Sequence, residues 1–189
     1  LHKAIRRQRQ MCIRDRVTYF SPLADTSLPD VGFVYLPGGY PELYLAALSA
    51  NRQMLQSIRR YVESGGKLLA ECGGMMYLCD EIRDKNGDVY PMAGVLHQSA
   101  TMENMKLRLG YRTLLYNETR LKGHEFHYSR LVEQQNPLPS CAVAYTAKGV
   151  ETDTPLYHYK NVWAGYTHLY WADPVGNEWF TKFVIDGNT

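Results

Sequence analysis

The sequence predicts one layered α/β domain, and three observations predict it. From Val17 onward, short apolar runs alternate with amphipathic stretches. Glycine or proline pairs punctuate the ends of those runs, as at Pro37-Gly38-Gly39, Gly65-Gly66 and Gly73-Gly74. With 189 residues, 45% of them hydrophobic, the chain can bury one good core, and nothing marks a second domain within it.

The elements follow in order. "VTYF" at 17–20 reads as a first strand, and "VGFVYLPGG" at 31–39 as a stronger one that ends at the proline and glycines. In "PELYLAALSANRQMLQSIRRYVESGG", Leu43, Ala46, Leu48, Met54, Leu55, Ile58 and Tyr61 fall near helical spacing. That pattern predicts two helices, broken near Ser49 to Asn51 and stopped at Gly65-Gly66. "KLLAEC" reads as the next strand, with a helix starting near Gly74 or Met75. Tyr90 to Pro139 is rich in β-type and turn residues. "VWAGYTHLYW" reads as a strand running into a loop, and "EWFTKFVID" as a closing helix.

The N-terminus differs from the rest. Met11 to Arg16 spell Met-Cys-Ile-Arg-Asp-Arg, which resembles the translated transposon end used in sequencing libraries, so Leu1 to Arg16 are set aside from the fold as adapter-derived. A basic arm for nucleic acid or anionic lipid is the competing reading. That segment holds six Lys and Arg against Asp15, a net of +5, so the remainder carries −3 within a chain total of +2. A mildly acidic body gives no reason to expect nucleic acid as a partner. No apolar stretch approaches the roughly 18 residues of a membrane span, and the expected location is cytoplasmic. Cys12, Cys72, Cys79 and Cys141 show no paired spacing, so reduced thiols are expected.

Chemistry concentrates at "LLAECGGMMYL". A strand reaching Cys72, then Gly73-Gly74, then helix formers makes a strand-to-helix elbow, which projects the side chain before the glycines into a crevice at the carboxyl edge of the sheet. A helix N-terminus at that point favours thiolate. A buried structural cysteine is equally open on local pattern alone. Cys79 and Cys141, among apolar neighbours, read as core residues.

A nucleophilic thiol needs a base and an oxyanion site. Among His97, His124, His127, His158 and His168, the last is the strongest base candidate, because "AGYTHLYW" puts it at the end of a strand; a histidine packed among aromatics is the other reading. The N–H of Gly73, with one from Gly38 or Gly39, can face an oxyanion.

"LPGGYPELY", "LSANRQML", "AECGGMMYL", "YPMAGVL", "LGYR", "GHEFHYSRL" and "YTHLYW" occur in this order over Tyr19 to Phe183. Together they resemble the glutamine amidotransferase domain of the cobyrinic acid a,c-diamide synthase family. The resemblance implies a flavodoxin-like class I amidotransferase fold and glutaminase chemistry, with Cys72 as nucleophile, His168 as base and acid, and Gly38, Gly39 and Gly73 at the oxyanion and glutamine site. His124, Glu125, His127, Tyr128, Ser129 and Arg130 match a family signature bordering either the glutamine pocket or the synthetase domain, without individual roles.

Most class I glutaminases follow the base with x-Glu. Here the sequence is His168-Leu169-Tyr170, which implies a Cys-His dyad. No G-x-x-x-x-G-K-[ST] occurs, although the family's full enzymes open with a P-loop domain that binds ATP and Mg²⁺. The resemblance therefore implies a partial domain at 17–189 without its first strand and helix, no cofactor or metal in the domain itself, and an absent ATP-binding domain. The implied partners are glutamine and, through that absent domain, a corrin precursor in cobalamin biosynthesis; a homodimer is compatible with the reading. Amidation of a nickel tetrapyrrole or a muropeptide, and a catalytically silent binding scaffold, are the alternatives.

Overall fold

The structure is a computed structural model that describes residues 17–186; the segment read as adapter lies outside the described residues. Its centre is a four-stranded sheet ordered β1 (Phe33–Leu36), β2 (Lys67–Glu71), β12 (Val162–Gly165) and β11 (Leu156–Tyr159). The first three strands run parallel, and β11 returns antiparallel to β12. Both faces of β2 and β12 are covered. Leu68, Ala70, Val162 and Ala164 enter one core, while Leu69 and Trp163, one residue out of phase, enter another. Two-sided burial is why "KLLA" runs apolar without alternation.

One face carries helices α1 (Leu45–Ala50), α2 (Arg52–Glu63) and α3 (Gly73–Leu78), preceded by a 3₁₀ turn at Pro41–Leu43. The break between α1 and α2 falls at Asn51. Its side-chain oxygen accepts from the Met54 amide at 3.3 Å, capping α2, and its Nδ2 donates to the carbonyls of Pro22 and Asp25, both at 2.8 Å. α2 buries Met54, Leu55, Ile58 and Val62 and ends where Gly65, at φ +91°, turns the chain, with the Gly66 amide donating to the Tyr61 carbonyl at 2.9 Å.

The other face carries a five-stranded sheet ordered β10 (Glu151–Thr152), β9 (Val143–Thr146), β6 (Arg108–Tyr116), β7 (Thr119–His127) and β13 (His168–Leu169). It is antiparallel throughout. The C-terminal helix α4 (Pro174–Asp186) packs Trp179 and Phe183 into the same core, with the rings of Trp163 and Trp179 5.0 Å apart and edge to face. A smaller sheet joins β4 (Val89–Pro91), β3 (Glu81–Arg83), β5 (Ser99–Thr101) and β8 (Arg130–Leu131) in that order. Among the described residues, no helix is long and apolar enough to cross a membrane.

Two sequence expectations need correction. Val17 to Phe20 form no strand: Val17 and Tyr19 are 65% and 91% exposed, and β-type residues make a strand only where a neighbouring strand pairs with them. "VWAGYTHLYW" divides between two sheets. β12 ends at Gly165, the chain crosses at Tyr166-Thr167, and His168 opens β13 against β7.

Candidate active site

β2 delivers Cys72 to the carboxyl edge of the parallel sheet, and the backbone turns sharply there. Cys72 has φ +50° and ψ −110°, a conformation that costs a non-glycine residue of order 1–3 kcal/mol and that the surrounding structure must impose. Its amide donates to the Gly165 carbonyl at 2.8 Å, tying the elbow to the end of β12, and its carbonyl accepts from the Met76 amide at 3.0 Å in the first turn of α3. Cys72 is 5% exposed.

Gly38, Gly39 and Gly73 meet at this elbow. A Cβ on Gly73 would stand 2.6 Å from the Gly39 carbonyl oxygen and 2.8 Å from Cδ of Pro41, so only glycine lets the turn after β1 close over the turn after β2. The ring of His168 lies against Gly38 on the other side. The turn after β1, the elbow and the start of β13 thus converge on one crevice.

His168 interacts with two neighbours in consecutive positions. A hydrogen bond with the Cys72 side chain is the first cause, and one with the Glu71 carboxylate the second, of a pKa raised against burial from 6.5 to about 9. Nδ1 lies 3.6 Å from Oε2 of Glu71. Glu71 itself is 3% exposed; its Oε1 accepts from the Leu169 amide at 3.1 Å and its Oε2 from the Tyr35 hydroxyl at 2.7 Å. Desolvation, followed by the hydrogen bond to Glu71, pushes the Tyr35 phenol far above its ordinary range.

The sequence reading missed Glu71. Its signal was a lone carboxylate at the buried end of an apolar strand, directly before the nucleophile candidate.

The GHEFHYSR stretch divides by period two. Glu125, His127 and Ser129 point inward and are buried, while His124, Tyr128 and Arg130 are exposed. His124 pairs with His168 across β7 and β13, and their rings stack at 5.1 Å. Glu125 is fully buried and forms an ion pair with Arg112 at 2.9 Å. His127 stacks on Tyr166 at 3.8 Å, its Nδ1 lies 2.9 Å from the Ser129 carbonyl, and burial lowers its pKa. The Ser129 hydroxyl lies 3.1 Å from that of Tyr166. A cavity of about 260 Å³ opens beside these groups, lined among others by Arg108, Arg130, Asp153 and Tyr166.

Cys79 and Cys141 lie elsewhere. Cys79 is fully buried, its Sγ 3.6 Å from the Met75 carbonyl, and burial drives its thiol well above the ordinary range. Cys141 is half-buried, with a pKa pushed up to about 11 by desolvation.

A thiol on a strained elbow, beside a histidine on a facing strand, is an arrangement suited to acyl transfer through a thioester. Residues 13–175 match the model of the CobB/CobQ-like glutamine amidotransferase domain. The chain belongs to this family. Hydrogenobyrinate a,c-diamide synthase of Pseudomonas aeruginosa is 39% identical over 159 residues, covering 82% of this chain and 35% of that protein. Cobyrinate a,c-diamide synthase of Fusobacterium nucleatum is 39% identical over 163 residues with the same coverage, and that of Salmonella typhimurium is 35% identical over 164 residues.

The chain thus spans about a third of the length of the curated relatives it matches. A solved glutamine amidotransferase superposes with a TM-score of 0.53 at 18% identity, over 82% of this chain and 79% of that one. PurLQS from Thermotoga maritima superposes with a TM-score of 0.51 at 17% identity, over 77% and 72%. These likenesses show the fold, that of a glutamine amidotransferase.

Proposed function

We propose that this domain hydrolyses glutamine and supplies the ammonia to a longer ATP-dependent synthase that amidates the a and c carboxylates of a corrin precursor. The convergence of the strained Cys72 elbow, the glycine turn after β1 and the His168 ring lying against Gly38 is the observation that carries the proposal. The names of the relatives favour a corrin over a nickel tetrapyrrole or a muropeptide. ATP and Mg²⁺ belong, in this reading, to the remainder of the longer enzyme.

The steps balance as follows. With His168 holding the proton, as its raised pKa requires, the Cys72 sulfur bonds as thiolate to the side-chain carbonyl carbon of glutamine. The carbonyl oxygen takes up negative charge, and the amides at Gly38 or Gly39 and Gly73 are assigned to stabilise it. The C–N bond breaks as His168 gives its proton to nitrogen, releasing ammonia and leaving a thioester. Water then attacks the thioester, gives a proton to His168, and the C–S bond breaks with the thiolate restored and glutamate released.

The cavity beside Tyr166 is assigned to the amino-acid end of glutamine. Tyr166 directly follows Gly165, whose carbonyl accepts from the Cys72 amide, so the cavity and the elbow share the end of β12, although Cys72, Gly73 and His168 do not line the cavity. Arg130 offers a guanidinium for the α-carboxylate and Glu133 a carboxylate for the α-ammonium, while Asp153 is held by the Arg108 guanidinium.

The test is glutamate release together with labelling by a glutamine-mimicking electrophile. Cys72→Ala is expected to abolish both, and in the full-length enzyme to spare synthesis from added ammonia. Undiminished glutamine-dependent synthesis by Cys72→Ala would overturn the assignment.

A further inference from the structure

We infer that Glu71 is the positioning acid of the site, so that the dyad implied by His168-Leu169-Tyr170 is completed by a carboxylate from the residue immediately before the nucleophile. The inference rests on the glutaminase reading of Cys72 and His168.

Strand geometry makes the arrangement available. Along β2, Leu69 faces the core shared with the second sheet, and period two sends Glu71 to that same side. β13 is an edge strand of that second sheet, so its first residue, His168, presents a ring that reaches both Glu71 on β2 and Cys72 on the elbow. Two successive residues thus meet two sites on one imidazole.

Buried carboxylates need partners, and those of Glu71 are specific. Oε1 is held by the Leu169 amide, one residue beyond His168, and Oε2 by the Tyr35 hydroxyl. The Leu169 contact fixes the carboxylate against the backbone that carries the base. With Nδ1 of His168 3.6 Å from Oε2, the carboxylate favours the tautomer whose Nδ1 bears the proton, leaving Nε2 to exchange a proton with sulfur or the leaving nitrogen. A downstream glutamate is then unnecessary, because the same job is done from the strand side of the elbow.

The groups facing His168 are Cys72 from the elbow, Glu71 from β2 and His124 from β7; Tyr35 from β1 acts on the ring through Glu71. Glu71→Gln keeps the shape and an oxygen for the Leu169 amide while removing the charge. In the 189-residue chain it is expected to lower kcat for glutamate release about 10²-fold with KM within about twofold. The titration of His168, followed by NMR of labelled histidine, is expected to fall from about 9 toward its ordinary value. Glu71→Asp should recover part of the rate.

A Glu71→Gln variant with kcat within about twofold and an unmoved His168 titration overturns the inference. Should Glu71→Gln not fold, the unmodified chain decides: a His168 tautomer protonated at Nε2 rather than Nδ1 in its neutral form overturns it, and the Nδ1-protonated form supports it. Absent glutamate release by the unmodified chain would count against the glutaminase reading alone, since the tautomer and titration report on Glu71 independently.

Discussion

The imidazole of His168 occupies the space that a side chain on Gly38 would need, since a Cβ there would overlap Cε1 of the ring. Gly38 follows β1 and His168 opens β13, so the contact locks the turn of the parallel sheet to the base carried by the antiparallel one. Gly38→Ala is expected to displace the ring by several tenths of an ångström or more. Misplacement on the scale of an ångström costs about 10²-fold in rate, so kcat for glutamate release should fall by about that factor. Thermal denaturation should change little, because the turn is at the surface of the crevice rather than in the core. A variant with unimpaired kcat would show that the ring has room to move without loss.

Thiol selectivity provides a second expectation. Cys79 is fully buried and its proton is held by desolvation, and Cys141 is pushed up to about 11. A glutamine-mimicking electrophile at neutral pH should therefore modify Cys72 among these three. Peptide mapping by mass spectrometry checks this, and equal labelling of Cys79 would mean that the domain opens on the timescale of the reaction.

Much of the helical half was legible because its signals are local. The Asn51 break, the Gly65-Gly66 stop and the Cys72 elbow each depend on residues within a few positions of one another. The second sheet was not legible. Its long hairpin of β6 and β7, and the pairing of His168 with His124 more than forty positions away, are fixed by tertiary pairing that a single sequence does not spell out.

Glu71 shows the limit most clearly. Sequence offsets from the base pointed to an empty position after His168, whereas the carboxylate arrives from the strand before the nucleophile, 97 positions earlier by numbering.

The raised pKa of His168 makes a prediction about stability. The folded value of about 9 exceeds the ordinary 6.5, so the folded state holds the proton more tightly than the unfolded chain. That contribution is complete below about 6.5 and is lost as pH rises through about 9. Removing the ring by His168→Asn should remove this dependence. Tm of the parent chain should therefore decline relative to that of His168→Asn between these pH values, measured by calorimetry at fixed ionic strength. A constant difference would mean that the Cys72 and Glu71 contacts do not favour the protonated ring.

The buried pair of Arg112 and Glu125 leads to the last prediction. Their side chains are 10% and 0% exposed, and the Thr167 hydroxyl donates to the other carboxylate oxygen of Glu125 at 3.4 Å. Thr167 immediately precedes His168, so the pair anchors the backbone that carries the base. Deleting either partner leaves a buried charge uncompensated, which typically costs about 3–5 kcal/mol. Glu125→Ala and Arg112→Ala should each lower stability by about that amount in urea denaturation. Replacing both by apolar residues of similar volume, as in Arg112→Met with Glu125→Leu, should recover most of the loss, because desolvation of the ions is then avoided. Glutamate release by that double variant separates two roles for the pair. Restored stability with restored activity would make it a structural strut, whereas restored stability with depressed activity would mean that the hydrogen bond from Thr167 to Glu125 is needed to hold His168 in register.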